Sequence, residues 1–291
     1  MAKVECWEVS DEFWARVEPL IPLPQRDPNK TYRRKPGGGR RPLPPRQVFT
    51  GIVYVLRTGI QWNALPKELY GSPKAIHRYF RDWERQGFFL ALWRAGLAEY
   101  DHMAGIAWEW QSVDGAMMKA PLAQEAVGRN PTDRGKKGSK RHLQVDARGV
   151  PLSLVVTAAN INDVTQLAAL LDGRIVAPPP VDGGKRRAEN LCADAGYAGR
   201  NARQVIEERH FIAHVRSRTD EKVAKQDNPG YRARRWVVEV SHSWFNRFRK
   251  LLVRYEKTLA SSLALHHLAA AIIAFRKAIF MYGPYGKESV R

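Results

Sequence analysis

Cysteine is nearly absent: Cys6 and Cys192 are the only two in 291 residues and lie far apart. No disulfide framework or cysteine-rich metal site can be built from them. Uninterrupted apolar runs are also missing. The N-terminal MAKVECWEVSDEFW lacks the apolar core of a signal peptide. The longest apolar stretch, Leu259 to Met281, is broken by His266, His267, Arg276 and Lys277, so it reads as a buried core helix and not a membrane span. The expected location is the cytoplasm, in contact with the nucleoid, and no membrane partner is expected. Acidic residues are scarce as well. There are 29 Asp+Glu against 48 Lys+Arg, a formal charge of +19, which argues for a polyanionic partner, nucleic acid first.

At 44% hydrophobic residues the chain can bury a real core. Residues 7 to 22 read as a short helical segment with Trp7, Phe13, Trp14, Val17 and Leu20 on its apolar face, ended by Pro22 and Pro24. Residues 23 to 46 are rich in Pro, Gly and Arg, and their cations Arg33, Arg34, Lys35, Arg40 and Arg41 have no helical period. Such composition suits a solvated linker and an arm that follows phosphates or enters a minor groove equally well. A helix over Gln47 to Arg57, the turn TGIQWNALP and a second helix over Ser72 to Gln86 follow. The second helix buries Ile76, Tyr79, Phe80 and Trp83 and presents Lys74, His77, Arg78, Arg81 and Arg85. This is a helix-turn-helix-like pattern for DNA binding. A helix over Phe88 to His102 completes an all-α domain at 1–105.

From about residue 108 strands alternate with helices. WEWQSVDG is a strand ending in Asp114, and HLQVDARGVPLSLVVTAAN is a hairpin turning at Asp146 to Gly149. NDVTQLAALLDG is a helix capped at Asn162 or Asp163; AENLCADAGY is a strand ending in Asp194. GRNARQVIEERH is a helix and FIAHVRSR a strand, and a polar loop lies within Thr219 to Arg234. A helix over Arg235 to Lys257 and the apolar C-terminal helix complete the unit. The expected architecture is α/β over 106–282, a mixed five-stranded sheet flanked by helices, with a tail at 283–291.

The helix at Arg235 to Lys257 carries an apolar face of Val240, Trp244, Phe248, Leu251 and Tyr255. Beside it runs a stripe of Arg235, Glu239, Ser243, Asn246, Lys250 and Lys257. If Asp114 and Asp194 end neighbouring strands, their carboxylates face one another and Glu239 approaches from this helix. Three converging carboxylates raise each other's pKa. Divalent cations relieve that repulsion, and oxygen-only ligands select Mg2+ or Mn2+, as a pair about 4 Å apart in phosphoryl transfer. Arg134, Lys136, Lys137, Lys140, Arg141, Arg235, Arg247 and Lys250 would then hold a DNA backbone. Blander readings apply residue by residue. An Asp before Gly is often only a turn residue, and Glu239 can pair with Arg235 one helical turn earlier. Asp146 reads as a turn residue, Asp163 as a cap, and Glu256 as solvent-facing. His242, His266 and His267 read as packing or polar-surface histidines. Trp108, Trp110, Trp236 and Trp244 read as core, with Trp236 and Trp244 also suited to base stacking.

The order strand-Asp114, hairpin, strand-Asp194, loop, helix-Glu239 resembles the DDE transposases of bacterial insertion sequences. SVDG, ADAGY and R-W-V-V-E-x-x-H-S-W-x-N-R-F-R-x-L-x-V-R-Y-E resemble the insertion-sequence-five family, including its relatives of the insertion-sequence-four type. TGIQWNALP followed by a basic helix fits the same group, and the likeness runs from about Ser10 to Lys277. It implies a ribonuclease-H-like core with Asp114, Asp194 and Glu239 as catalytic metal ligands. Arg235 matches the Arg of the family's Tyr-Arg-Glu-Lys signature, while the Tyr falls at Arg232 and the Lys at Asn246. The implied activity is binding to the element's terminal inverted repeats, hydrolysis at its ends and joining of the 3′-hydroxyls to target DNA. Double-stranded DNA and a second copy of the chain, as a dimer or higher oligomer, are the expected partners. A ribonuclease-H-like nuclease or resolvase that cuts without joining, and a non-catalytic helix-turn-helix regulator, are the alternatives.

Overall fold

The computed structural model describes residues 7–23, 29, 31, 33, 35, 41–179, 189–215, 223, 226–227 and 234–282. Arg34, Arg40 and Arg232 and the tail at 283–291 lie outside them.

Five helices come first. α1 (Asp11–Val17) starts where Ser10 Oγ accepts from the Phe13 amide at 3.2 Å, with Asp11 and Glu12 in the first turn, both favourable at a helix N-terminus. α2 (Pro45–Thr58) has proline in its first turn and stops at Gly59, whose φ of 75° is open to glycine at no steric cost. The short α3 (Lys67–Tyr70), α4 (Pro73–Arg85) and α5 (Phe88–Ala104) follow. α4 buries Ile76, Phe80 and Trp83 as its spacing predicts, and Tyr79 is half-buried.

The sheet follows: β1 (Trp110–Lys119), β2 (Gly128–Arg129), β3 (Lys137–Val145) and β4 (Pro151–Ala158). Then come α6 (Asp163–Asp172), β5 (Glu189–Ala193), α7 (Arg200–Glu208), β6 (Phe211–Val215), α8 (Trp236–Asn246) and α9 (Leu259–Tyr282). β3 lies antiparallel between β1 and β4, while β5 is parallel to both β1 and β6. The sheet is therefore mixed, with the five expected strands and a sixth, the two-residue β2, on β3. Its helix-flanked form is the ribonuclease-H-like arrangement that the resemblance implies.

Alternation along the strands sorts the side chains onto two faces. Val113, Leu191 and Ala193 pack with Leu167, Leu170, Ala202 and Ile206 of α6 and α7. On the other face Leu143 and Val145 join Val237, Val238 and Phe245 of α8. That second core continues through α9 into α1, α2, α4 and α5. The α5–α9 seam closes at Gly96, where a Cβ would lie 3.1 Å from the Phe275 ring and 3.2 Å from the Ala271 carbonyl. α9 is long and apolar enough to cross a membrane, but 72% of that window is buried inside the protein.

Several sequence expectations are corrected. β1 does not end at Asp114; it runs on to Lys119, paired with β3 throughout. The long helix stops at Asn246, and after Phe248 takes an extended backbone (φ −90°, ψ 93°) a single tight turn, Arg249–Leu251, leads to Val253 beside Lys119. This break re-aims everything beyond it: Glu256 is 9% exposed and faces Lys250 at 3.6 Å, and Tyr255 is exposed. Within α8 the buried face is Val237, Val238, Ser241, His242 and Phe245, one position on from the expected Val240–Trp244 stripe. Ser241 fixes that rotation by donating to the Gly149 carbonyl at 2.8 Å. Trp236 is exposed and does not belong to the core.

Candidate active site

β1 and β5 run in parallel with Ser112 beside Cys192. Two residues further on, the same alternation brings Asp114 and Asp194 onto one face, the face that α8 covers. Asp194 follows the last residue of β5 and caps the next turn, its Oδ1 accepting from the Gly196 amide at 2.9 Å. α8 is anchored over this point. Ser112 Oγ donates to the Arg234 carbonyl at 3.3 Å, just before the helix begins. Glu239 projects from the first turn of α8, exposed, with its Oε1 3.6 Å from Arg235 Nε. The Arg235 pairing read from the sequence is thus present, and it is the weak, solvated kind.

Asp114 is more enclosed. Burial is the main force pushing its carboxyl up to about 6, and the charges of Asp194, Asp163 and Glu239 add to it. Asp114 thus feels the charge of the other three acids. Tyr197, buried beneath them, has its phenol raised by burial and by Asp163, Asp114 and Asp194. Among the described residues no group of three His, Cys, Asp or Glu stands close enough to hold a metal ion as it is. The residue chemistry of Asp114, Asp194 and Glu239 nonetheless suits a hard divalent cation, since carboxylate oxygens are the donors such an ion would take.

Asp163 is a residue that sequence reasoning undervalued. The cap of α6 is Asn162, whose Oδ1 accepts from the Val164 amide at 3.0 Å. Asp163 instead reaches back over the sheet, its Oδ1 2.8 Å from Lys140 Nζ and 3.4 Å from His142 Nδ1. Burial lowers His142 to about 4, so the ring is neutral, and it shares a 2.9 Å hydrogen bond with Thr157 Oγ1. His242 is the second. It lies one helical turn after Glu239, and its Nε2 is 3.7 Å from Asp114 Oδ2. Burial, then Arg141, pushes it down to about 3. The E-x-x-H spacing was the available signal, because residues three apart on a helix share a face, which sets the histidine on the same side of α8 as the acid.

The expected DNA-contacting cations divide by burial. Lys74, His77 and Arg78 are exposed on α4; Arg33, Lys35 and Arg41 are exposed in the arm; Arg134, Lys136, Lys137 and Arg247 are exposed around the sheet. Arg235 is half-buried, as is Arg81, which donates to Thr258 Oγ1 at 3.2 Å and Ser261 Oγ at 2.5 Å. Three expectations give way. Lys140 is held by Asp163 and the Ile161 carbonyl, and Lys250 by Glu256 and the Ile60 carbonyl. Arg141 lies over the Phe245 ring and donates to His242. All three are buried, so their charges are spent inside the fold and not on its surface.

A mixed sheet carrying two aspartates on the face crossed by a glutamate-bearing helix defines a class, and family comparison agrees. The family described as "Transposase DDE domain" matches residues 111–274, more than half of the chain. The chain belongs to the DDE transposases. Residues 9–93 match "Putative transposase of IS4/5 family", so the insertion-sequence affinity extends to the helical part. The "Putative transposase for insertion sequence element IS402" of Burkholderia cepacia is 39% identical over 135 residues, covering 45% of this chain and 60% of that protein. The "Insertion element IS402 uncharacterized 16.2 kDa protein" of the same organism is 34% identical over 124 residues, covering 42% of this chain and 80% of that protein. The chain thus spans less than two thirds of the first of these relatives. Among solved structures, a pre-cleavage Mos1 transpososome aligns over 82% of this chain and 81% of its own, at 12% identity and a TM-score of 0.29.

Proposed function

We propose that the protein is an insertion-sequence transposase that binds the terminal inverted repeats of its element, cleaves at the ends and joins the freed 3′-hydroxyls to target DNA. One observation carries the reading: Asp114 and Asp194 share the sheet face that α8, with Glu239, crosses. These three carboxylates would hold Mg2+ or Mn2+, two ions in this reading, whose chemistry when bound is to activate the attacking oxygen and stabilise the leaving one. No Ser, Tyr or Cys nucleophile is assigned, so no covalent protein–DNA intermediate is expected.

In this reading the helical part, about 1–105, recognises the ends through the exposed face of α4 and the basic arm. The part from 106 to 282 performs the chemistry. Exposed Arg134, Lys136, Lys137 and Arg247, with Arg235 beside Glu239, hold the phosphate backbone. Two ends must be handled together, so the working form is a dimer or higher oligomer on double-stranded DNA.

The test uses the DNA flanking the coding region, intact and precut. D114N, D194N and E239Q should each abolish cleavage and strand transfer while keeping end binding. A triple variant that still cleaves would sink the assignment. Cleavage of intact ends without transfer of precut ones would mark a nuclease or resolvase, and binding with no chemistry a regulator.

A further inference from the structure

His242 sits at 6% exposure between two groups that together fix its state. On one side Arg141 donates to His242 Nδ1, from Nε at 3.3 Å, with Nη2 at 3.2 Å from the same nitrogen. Guanidinium has donors and no acceptor. Nδ1 must therefore be the bare nitrogen, and the neutral ring carries its proton on Nε2. Arg141 is itself immobilised: Nη2 also donates to the His242 carbonyl at 3.3 Å and to Asn246 Oδ1 at 3.4 Å, and the guanidinium packs on Phe245. On the other side Nε2 is buried without a hydrogen-bond partner, facing Asp114 Oδ2 at 3.7 Å. A buried donor without an acceptor is costly. The separation exceeds a hydrogen bond by only a few tenths of an ångström, and hydrogen bonds of this kind tighten when an active site is loaded.

We infer that His242 is a positioning residue for Asp114: Arg141 locks the ring so that Nε2–H is directed at Oδ2, restricting the carboxylate to one orientation for its metal. Donors behind a metal-binding carboxylate commonly govern affinity in this way. The inference rests on the metal role of Asp114 given above.

Asparagine and glutamine separate the two halves of the device. The amide of H242N reaches only the Nδ1 position, so it can accept from Arg141 but offers Asp114 nothing. The amide of H242Q extends to the Nε2 position and restores a donor. In calorimetric titrations with Mn2+ alone, H242N should bind about ten- to a hundred-fold more weakly than wild type. H242Q should recover most of that loss, and both should melt near the wild-type temperature. H242N that binds Mn2+ like wild type, while D114N does not, removes the positioning role and leaves the proposed function standing. Wild type that binds no better than D114N removes the metal reading and this inference with it. A measurement on the unaltered protein needs no variant to fold: nitrogen-15 shifts of labelled histidine should report the Nε2–H tautomer at His242, and the Nδ1–H tautomer would overturn the inference.

Discussion

Asp163 Oδ1 occupies the space where a side chain on Gly115 would begin: a Cβ built there lies 2.7 Å from that oxygen and 3.1 Å from Lys140 Cδ. The glycine after Asp114 is thus no turn residue. It is a notch in the middle of a strand, through which the first residue of α6 reaches a lysine on the neighbouring strand.

G115A should therefore overpack the sheet and destabilise the protein by about 1–3 kcal/mol, read as a lower urea midpoint at unchanged slope. Because the clash is with Asp163, G115A combined with D163A should cost less than the two changes summed. Strict additivity would show that the notch is not what the glycine provides.

D163N should leave the Lys140 ammonium, 7% exposed, without its counter-charge. Complete loss of a buried partner costs more, but Asp163 is 34% exposed, so solvent reduces the effect to roughly 1–2 kcal/mol. Thermal melts would measure it. A stability equal to wild type would mean that Lys140 finds another acceptor beyond the Ile161 carbonyl.

Lys250 and the α4 cations should behave differently. K250M strands the buried Glu256 carboxylate and should cost about 3–5 kcal/mol with little change in the salt dependence of DNA binding. K74A or R78A should leave stability alone and reduce the slope of log affinity against log salt by about 1 each. A K250M protein with wild-type stability and a reduced salt slope would return Lys250 to the DNA-contacting set.

The pH dependence follows from Asp114, whose folded pKa of about 6 lies above its ordinary value of 3.8. The native carboxyl holds its proton where the unfolded one has lost it. Stability from this group therefore falls as pH rises from about 4 to about 6, by at most about 3 kcal/mol. Wild type minus D114N, followed by urea unfolding at stepped pH, should show that decline. A difference that is flat across this window would place Asp114 in a less buried setting.

Periodicity made the strands, their order and the α4 face legible, because each is a local pattern. Asp114-Gly115 misled because glycine serves turns and close approaches alike, and only the fold shows that Asp163 arrives there. Apolar spacing continues through Leu251 and Tyr255, past the point where the helix ends. What stops it is the need to bring Val253 beside Lys119, over a hundred residues earlier in the chain. Glu256 and Lys250 carried no sequence sign of burial, since their partnership depends on that same break. Asp194 was read correctly because its role as the residue closing β5 is local.

The seam between α5 and α9 has a consequence in time. α5 is complete at Ala104, but the helix it packs against begins only at Leu259. At the usual pace of synthesis the ribosome needs roughly ten to thirty seconds to cover that interval. Throughout it the face around Gly96 waits with its partner unmade. The front of the chain can form helices early, but it can close its core only once α9 has been made.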